Sequence, residues 1–293
     1  MNALVAWYFI AVWGAGYVAT KAGLQYAPPF TFLSLRFAFG LLCLAPVLLL
    51  FRTRWPQRPV EWAHLVVAGL LMHVVQLGGS HYAQYLGMSA GVAALVISCQ
   101  PLVMALIAVR FLGERLAPRQ WLGVLLGLAG VALVVWHKID IHEVSAASLA
   151  CTLIALAGVT AGTLYQRAFS PHCDLKAAAA VQFTAATVAF VPLALAVEGF
   201  RVTWAPPLAA SIVFLVVFTS LLGVSALYWL TRQGDASRVT SMMYLPAVFA
   251  VVLEWAAFGV APGSLAAFGI ALTCLGVGLT VWKRTWKSST SSA

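Results

Sequence analysis

Ten stretches of about twenty residues, almost free of charge, account for nearly the whole of this chain: 3–22, 30–51, 61–86, 90–112, 119–137, 146–167, 177–197, 207–231, 237–259 and 264–283. A helix rises about 1.5 Å per residue, so each stretch can cross a hydrocarbon layer about 30 Å thick. In lipid every backbone N–H and C=O must be paired within the segment, which a helix does locally. The breaks carry helix-ending residues: Pro28-Pro29, Pro56, Pro59, Pro118, Pro171, Pro206-Pro207 and Pro262-Gly263. The first run has no basic region ahead of it and exceeds the apolar core of a signal peptide, so it is read as a membrane helix. The expected fold class is an all-α integral membrane protein of ten transmembrane helices.

Charge agrees with this. Only 9% of the 293 residues are charged, against roughly 25% in soluble domains, too few to coat a water-facing surface. The net charge of +9 forms no stripe or arm, so membrane lipids rather than nucleic acid are the expected surroundings. Alternating the spans puts thirteen of the seventeen Lys and Arg residues on the face that carries both termini. Lys21, Lys138 and Arg201 fall on the other face, and Arg36 lies inside a span. Positive loops stay cytoplasmic, so the expectation is a multi-pass protein of the cell inner membrane with both termini in the cytoplasm. Five cysteines without metal-ligand spacing suggest neither a disulfide framework nor structural zinc.

The chain repeats at an offset of 146 residues. GVLLGLAGVALVVW (123–136) and GIALTCLGVGLTVW (269–282) share seven of fourteen positions, among them Gly123/Gly269, Gly130/Gly276 and Trp136/Trp282. The same offset pairs Ala15-Gly16 with Ala161-Gly162 and Tyr82 with Tyr228; a shift of one pairs Pro101 with Pro246. Residues 1–145 and 146–287 thus read as two five-helix repeats, with 288–293 a disordered tail. Five is odd, so the halves enter the membrane in opposite senses, the inverted repeat of many secondary transporters.

Trp13-Gly14, Pro28, Arg36-Phe37, Ala90-Gly91-Val92-Ala93-Ala94, Pro101, Gly113-Glu114-Arg115 and Gly123 occur in order in the first half. Gly234-Asp235-Ala236-Ser237-Arg238, Pro246 and Gly269 follow the same pattern in the second. This order resembles the EamA-like family of the drug/metabolite transporter (DMT) superfamily. The resemblance implies ten helices, cytoplasmic termini and export of amino acids or other small metabolites; length and layout resemble the aromatic amino-acid exporters of that family. One departure stands out: Glu114 is matched in the second half by Gly259, and the acid there is Glu254, inside the span.

Polar groups in a membrane are costly and usually face protein or a water-filled cavity. His73, Gln76, Ser80 and Gln84 recur at i, i+3, i+7 and i+11 and mark one face of the third span. They suit either a cavity wall that hydrogen-bonds a ligand or bonding between helices. Trp13 and Tyr17 share a face of the first span and could hold an apolar ligand or simply pack. Gln100, Thr163 and Tyr244 are further candidates for substrate binding. Pro101 and Pro246 each remove a donor, freeing the carbonyls of Ile97 and Met242, and are candidate hinges; Tyr82 and Tyr228 are candidate gates. Arg36 and Glu254 are the charges most clearly inside spans. They could pair with each other, or Arg36 could meet a carboxylate and Glu254 an ammonium.

There is no G-x-x-x-x-G-K-[ST] loop, HExxH site, G-x-S-x-G elbow or paired-carboxylate motif. The expectation is therefore no enzyme, no catalytic residues, no cofactor and no metal. The leading reading is a secondary transporter working by alternating access on a small-molecule substrate, with a membrane-embedded enzyme on lipid-linked or isoprenoid substrates as the alternative. The site should lie between the halves, mainly on spans 1, 3, 4, 6, 8 and 9, with spans 5 and 10 as braces. A monomer is expected, with a dimer left open.

Overall fold

The computed structural model describes residues 3–111, 117–140, 144–233, 245–259 and 263–281. The helices are α1 (Ala3–Gly23), α2 (Pro29–Leu50), α3 (Pro59–Tyr85), α4 (Ala90–Ile97), α5 (Gln100–Phe111) and α6 (Pro118–Asp140). They continue with α7 (Ala146–Phe169), α8 (Leu175–Glu198), α9 (206–233), α10 (Leu245–Phe258) and α11 (Ser264–Val281). No strand occurs among the described residues. Among the described residues, six helical runs are long and apolar enough to cross a membrane: α2, α3, the combined α4–α5 run, α7, α8 and Pro206–Ala226 of α9. Large apolar side chains such as Leu49, Leu125, Val188 and Leu275 point outward, as lipid contact requires.

Helix starts follow the prolines. Pro29, Pro59, Pro118 and Pro206 each occupy the first position of a helix, where the missing N–H has no intrahelical partner to lose. Side chains close other starts: Ser89 accepts from Val92 N at 3.2 Å, Ser145 from Ser148 N at 3.1 Å, and Asp174 from Lys176 N at 2.9 Å. Burial pushes the Asp174 pKa up, but bonds from the Arg54 and Lys176 N–H groups and the Lys176 charge outweigh it and hold the pKa below the ordinary carboxylate value.

Sequence spacing did not show that three segments wind with the wider π turn: Leu70–Val75 in α3, Ala194–Glu198 in α8 and Phe214–Gly223 in α9. Such turns add a residue to the helical repeat and often mark functional regions. Nor did it show that the α4–α5 run is broken rather than merely kinked. Pro101 is the second residue of α5, and Ser98-Cys99 separate the two pieces.

Packing pairs α1 with α9 and α10, α2 with α8, α3 with α7, α4 with α10, and α6 with α11. Glycine permits the last contact. A Cβ on Gly130 would stand 2.5 Å from the Gly269 carbonyl oxygen, and Gly276 rests on the backbone of Gly123 and Gly127. The glycines that match across the sequence repeat thus join α6 to α11 within one chain.

Two carboxylates close helix N-termini across the bundle. Glu198, ending α8, accepts from Phe30 N (3.0 Å), Thr31 N (2.7 Å) and the Thr31 hydroxyl (2.7 Å) at the start of α2. Glu254 of α10 accepts from Ala90 N (2.9 Å) and Gly91 N (2.8 Å) at the start of α4. Each carboxylate sits where unpaired N–H groups and the helix dipole favour negative charge.

Candidate functional site

Between these helices lies a cavity of about 610 Å³. It is lined from α1 (Trp13, Tyr17, Thr20), α2 (Arg36, Phe37), α3 (His73, Gln76, Ser80, His81, Gln84), the α4–α5 break (Ser98, Gln100, Pro101) and α10 (Pro246). α7, α8 and α9 complete the wall, with Gln166, Lys176, Gln182, Thr219-Ser220 and Ser225 as their polar contributions. No described side chain of α6 or α11 lines it. α2 and α8 contribute directly, although the sequence reading left spans 2 and 7 out of the main wall. Apolar composition hid them, because one arginine and one glutamine among phenylalanines leave no periodic polar face.

One end of the cavity is sealed. Thr20, Ser80, His81 and Gln84 there are all buried, and Thr20 Oγ1 lies 3.4 Å from His81 Nε2. Beyond them the Lys21 ammonium donates to Glu254 Oε1 at 2.6 Å. Glu254 is therefore tied to Lys21 and to the start of α4. Arg36 and Glu254 do not pair with each other, and Glu254 lies outside the cavity wall. The physical reason is position: Glu254 faces the N–H groups of Ala90 and Gly91, while Arg36 faces α9 and donates from Nη2 to Ser220 Oγ at 3.2 Å. Towards the opposite end the wall runs to Val47 and Lys176, both only half-buried.

Of the sequence-derived candidates, Trp13, Tyr17, His73, Gln76, Ser80, Gln84, Gln100, Arg36, Pro101 and Pro246 come together on this wall. Thr163 stands behind it and receives a hydrogen bond from Gln100 Nε2 at 3.0 Å. Tyr82 is turned away from it, stacked on Phe30 with ring centroids 5.7 Å apart. Tyr244 and the side chain of Tyr228 lie outside the described residues.

Some lining groups were missed. His81 is one position off the expected face, and Thr20, Ser98, Thr219 and Ser220 are small polar residues in apolar runs. The adjacent Thr219-Ser220 pair within a span was the available signal. The wide turn at Leu70–Val75 broadens the α3 face, so residues 72, 73, 76, 77, 80, 81 and 84 all reach the cavity. His73 Nε2 donates to Gln182 Oε1 (3.3 Å), and Gln182 Nε2 donates to Gln166 Oε1 (3.2 Å), tying α3, α8 and α7 together. Gln76 has no hydrogen-bond partner for its side chain among the described residues and is available to a ligand.

A helical membrane bundle around a mostly apolar internal cavity with a few convergent polar groups, sealed at one end, is the form of a small-molecule carrier. The EamA-like transporter family model matches residues 2–136 and again 144–282, and the chain belongs to that family. It is similar to YedA of Escherichia coli (strain K12), named an uncharacterized inner membrane transporter, at 28% identity over 94% of this chain and 90% of that one. It is also similar to YvbV of Bacillus subtilis (strain 168), named an uncharacterized transporter, at 27% identity over 86% of this chain and 82% of that one. A protein of Escherichia coli (strain K12) named a probable amino-acid metabolite efflux pump is 26% identical over 65% of this chain and 62% of that one. A solved crystal structure superposes with a TM-score of 0.65 over 94% of both chains at 22% identity, a likeness of fold. The protein is a membrane-spanning transporter.

Proposed function

We propose that the protein is a secondary carrier that exports amino acids or similar small metabolites, aromatic ones among them, across the cytoplasmic membrane by alternating access. The observation that carries this is the cavity: polar on α3, aromatic at Trp13, Tyr17 and Phe183, and sealed at the Lys21–Glu254 end. A volume of about 610 Å³ suits a ligand of that size. The relative named as an amino-acid metabolite efflux pump supports the substrate class.

The mechanism follows from two inverted five-helix halves, 1–145 and 146–287, ten spans in all, with both termini cytoplasmic. Equivalent contacts recur across the offset and support the division: Gly16 of α1 rests against Leu215 and Thr219 of α9, and Gly162 of α7 against Leu71 and Met72 of α3. Nearly equivalent inverted halves can exchange conformations, opening the site to one side and then the other. Pro101 and Pro246 start helical pieces beside the cavity and are the hinges of that exchange.

The test uses purified protein in liposomes loaded with labelled phenylalanine or threonine, with and without a proton gradient. Saturable, substrate-selective efflux that Gln76→Ala impairs is the expected result. If neither amino acid moves through correctly inserted protein, the amino-acid reading fails.

A further inference from the structure

The cavity carries a buried positive charge that no described carboxylate answers. Arg36 is buried at 7% exposure, and its guanidinium makes one hydrogen bond, to the Ser220 hydroxyl. Its Nε has no partner. The described carboxylates are all engaged elsewhere. Glu61 holds the N–H groups of Gln57 and Arg58, Asp174 those of Arg54 and Lys176, Glu198 the start of α2, and Glu254 Lys21 and the start of α4. No described Asp or Glu lines the cavity, and Glu254 is already held in its bridge to Lys21.

The other orphaned groups lie on the same wall. Among the described residues, unpartnered buried side-chain atoms occur on four, Arg36, His81, Gln84 and Thr219, and all four line the cavity. α2 and α3 bring two of them close: His81 packs on Phe32 (ring centroids 5.9 Å apart), one helical turn before Arg36. His73 packs on the Phe37 ring at 5.2 Å, just beyond it. The stretch of α2 that carries Arg36 is thus flanked by His81 and His73 of α3, and the guanidinium lies 6.0 Å from the Phe37 ring centre. Leaving such donors unmade is expensive in a low-dielectric site, and a forked guanidinium matches a carboxylate geometrically.

We infer that this end of the cavity is a carboxylate subsite centred on Arg36, and that the carrier recognises organic monoanions with an apolar body whether or not they bear an ammonium group. The inference rests on the carrier reading above and deepens it. The expectation that Glu254 receives an ammonium finds no place here, because Lys21 already occupies it. Only neutral groups and the Trp13 and Tyr17 rings remain for a substrate cation. A carboxylate is thus required and an ammonium dispensable. The apolar remainder of the ligand lies against Trp13, Phe37 and Phe183.

The experiment compares three ligands with one body: L-phenylalanine, 3-phenylpropionate and phenethylamine. Isothermal titration on the purified full chain measures binding of each, and competition against labelled phenylalanine in liposomes measures transport. 3-Phenylpropionate should bind and compete within a few-fold of phenylalanine, and phenethylamine about tenfold or more weakly than either. Arg36→Gln should weaken both carboxylates about tenfold or more, and Arg36→Lys should restore part of the loss. Phenethylamine binding as tightly as the acids, no binding by any of the three, or acid affinity indifferent to Arg36→Gln would overturn the subsite. Arg36-dependent acid binding without movement across the membrane would leave the subsite standing and sink the carrier reading. Efflux of phenylalanine that phenethylamine blocks as well as the acid does would have the reverse meaning.

Discussion

At the scale of single residues, side chains that look alike in sequence divide by what their neighbours leave unpaired. Arg36 and Glu254 are both charges inside apolar runs. Glu254 has three partners and is a brace; Arg36 has one hydroxyl and faces a cavity. Breaking a buried pair by removing one charge leaves the other uncompensated. Glu254→Gln should therefore lower stability by roughly 3 kcal/mol, read as a fall in the thermal unfolding midpoint in detergent. A midpoint unchanged in the variant would mean that the Lys21 bridge does not hold the sealed end. Gly259 shows why the second half lacks the partner of Glu114. Its φ of 71° ends α10 in a left-handed turn, where its N–H donates to the Trp255 carbonyl at 2.9 Å. A glutamate there would be strained by its Cβ.

Helices show a different logic, because their ends were far more legible than their interiors. Apart from the α4–α5 break, each described helix end that faces another described residue lies within three positions of the apolar boundary drawn from sequence. Proline and capping chemistry are local, and local chemistry can be read along the chain. The wide turns in α3, α8 and α9 leave no such mark, since they depend on what packs beside them. Contact between helices can also be tested. Gly130→Leu should cost about 1–3 kcal/mol by forcing α6 from α11, because its Cβ would meet the Gly269 carbonyl. Gly278→Ala, with nothing within 4 Å of the added carbon, should be neutral or slightly stabilising. Equal effects in a denaturation series would show that α6 and α11 do not pack this closely. At the α4–α5 break, Pro101→Ala restores a donor to the Ile97 carbonyl. Efflux should slow several-fold while ligand affinity holds, and a change confined to affinity would remove Pro101 from the hinge.

The whole molecule adds the property that no segment carries: a cavity closed at one end and approached from the other. In a cysteine-free background, Val47→Cys should react with a membrane-impermeant thiol reagent added on the face of loop 51–58. Ser80→Cys should resist the same reagent applied from the opposite face until substrate is present. Labelling in the reverse pattern would place the seal at the wrong end. The sequence by itself determined the solvent, the helical class, the helix boundaries and the family, because hydrophobic length, proline positions and ordered motifs act through neighbours in the chain. It also marked most of the α3 face, since four polar residues repeat at helical spacing in lipid-compatible surroundings. What only the tertiary structure decided is which polar groups find partners. Lys21 and Glu254 are 233 residues apart, and Arg36 and Ser220 184 apart. Satisfaction of a buried charge is a property of packing between distant segments, so the difference between a brace and a binding group is absent from any single stretch of sequence.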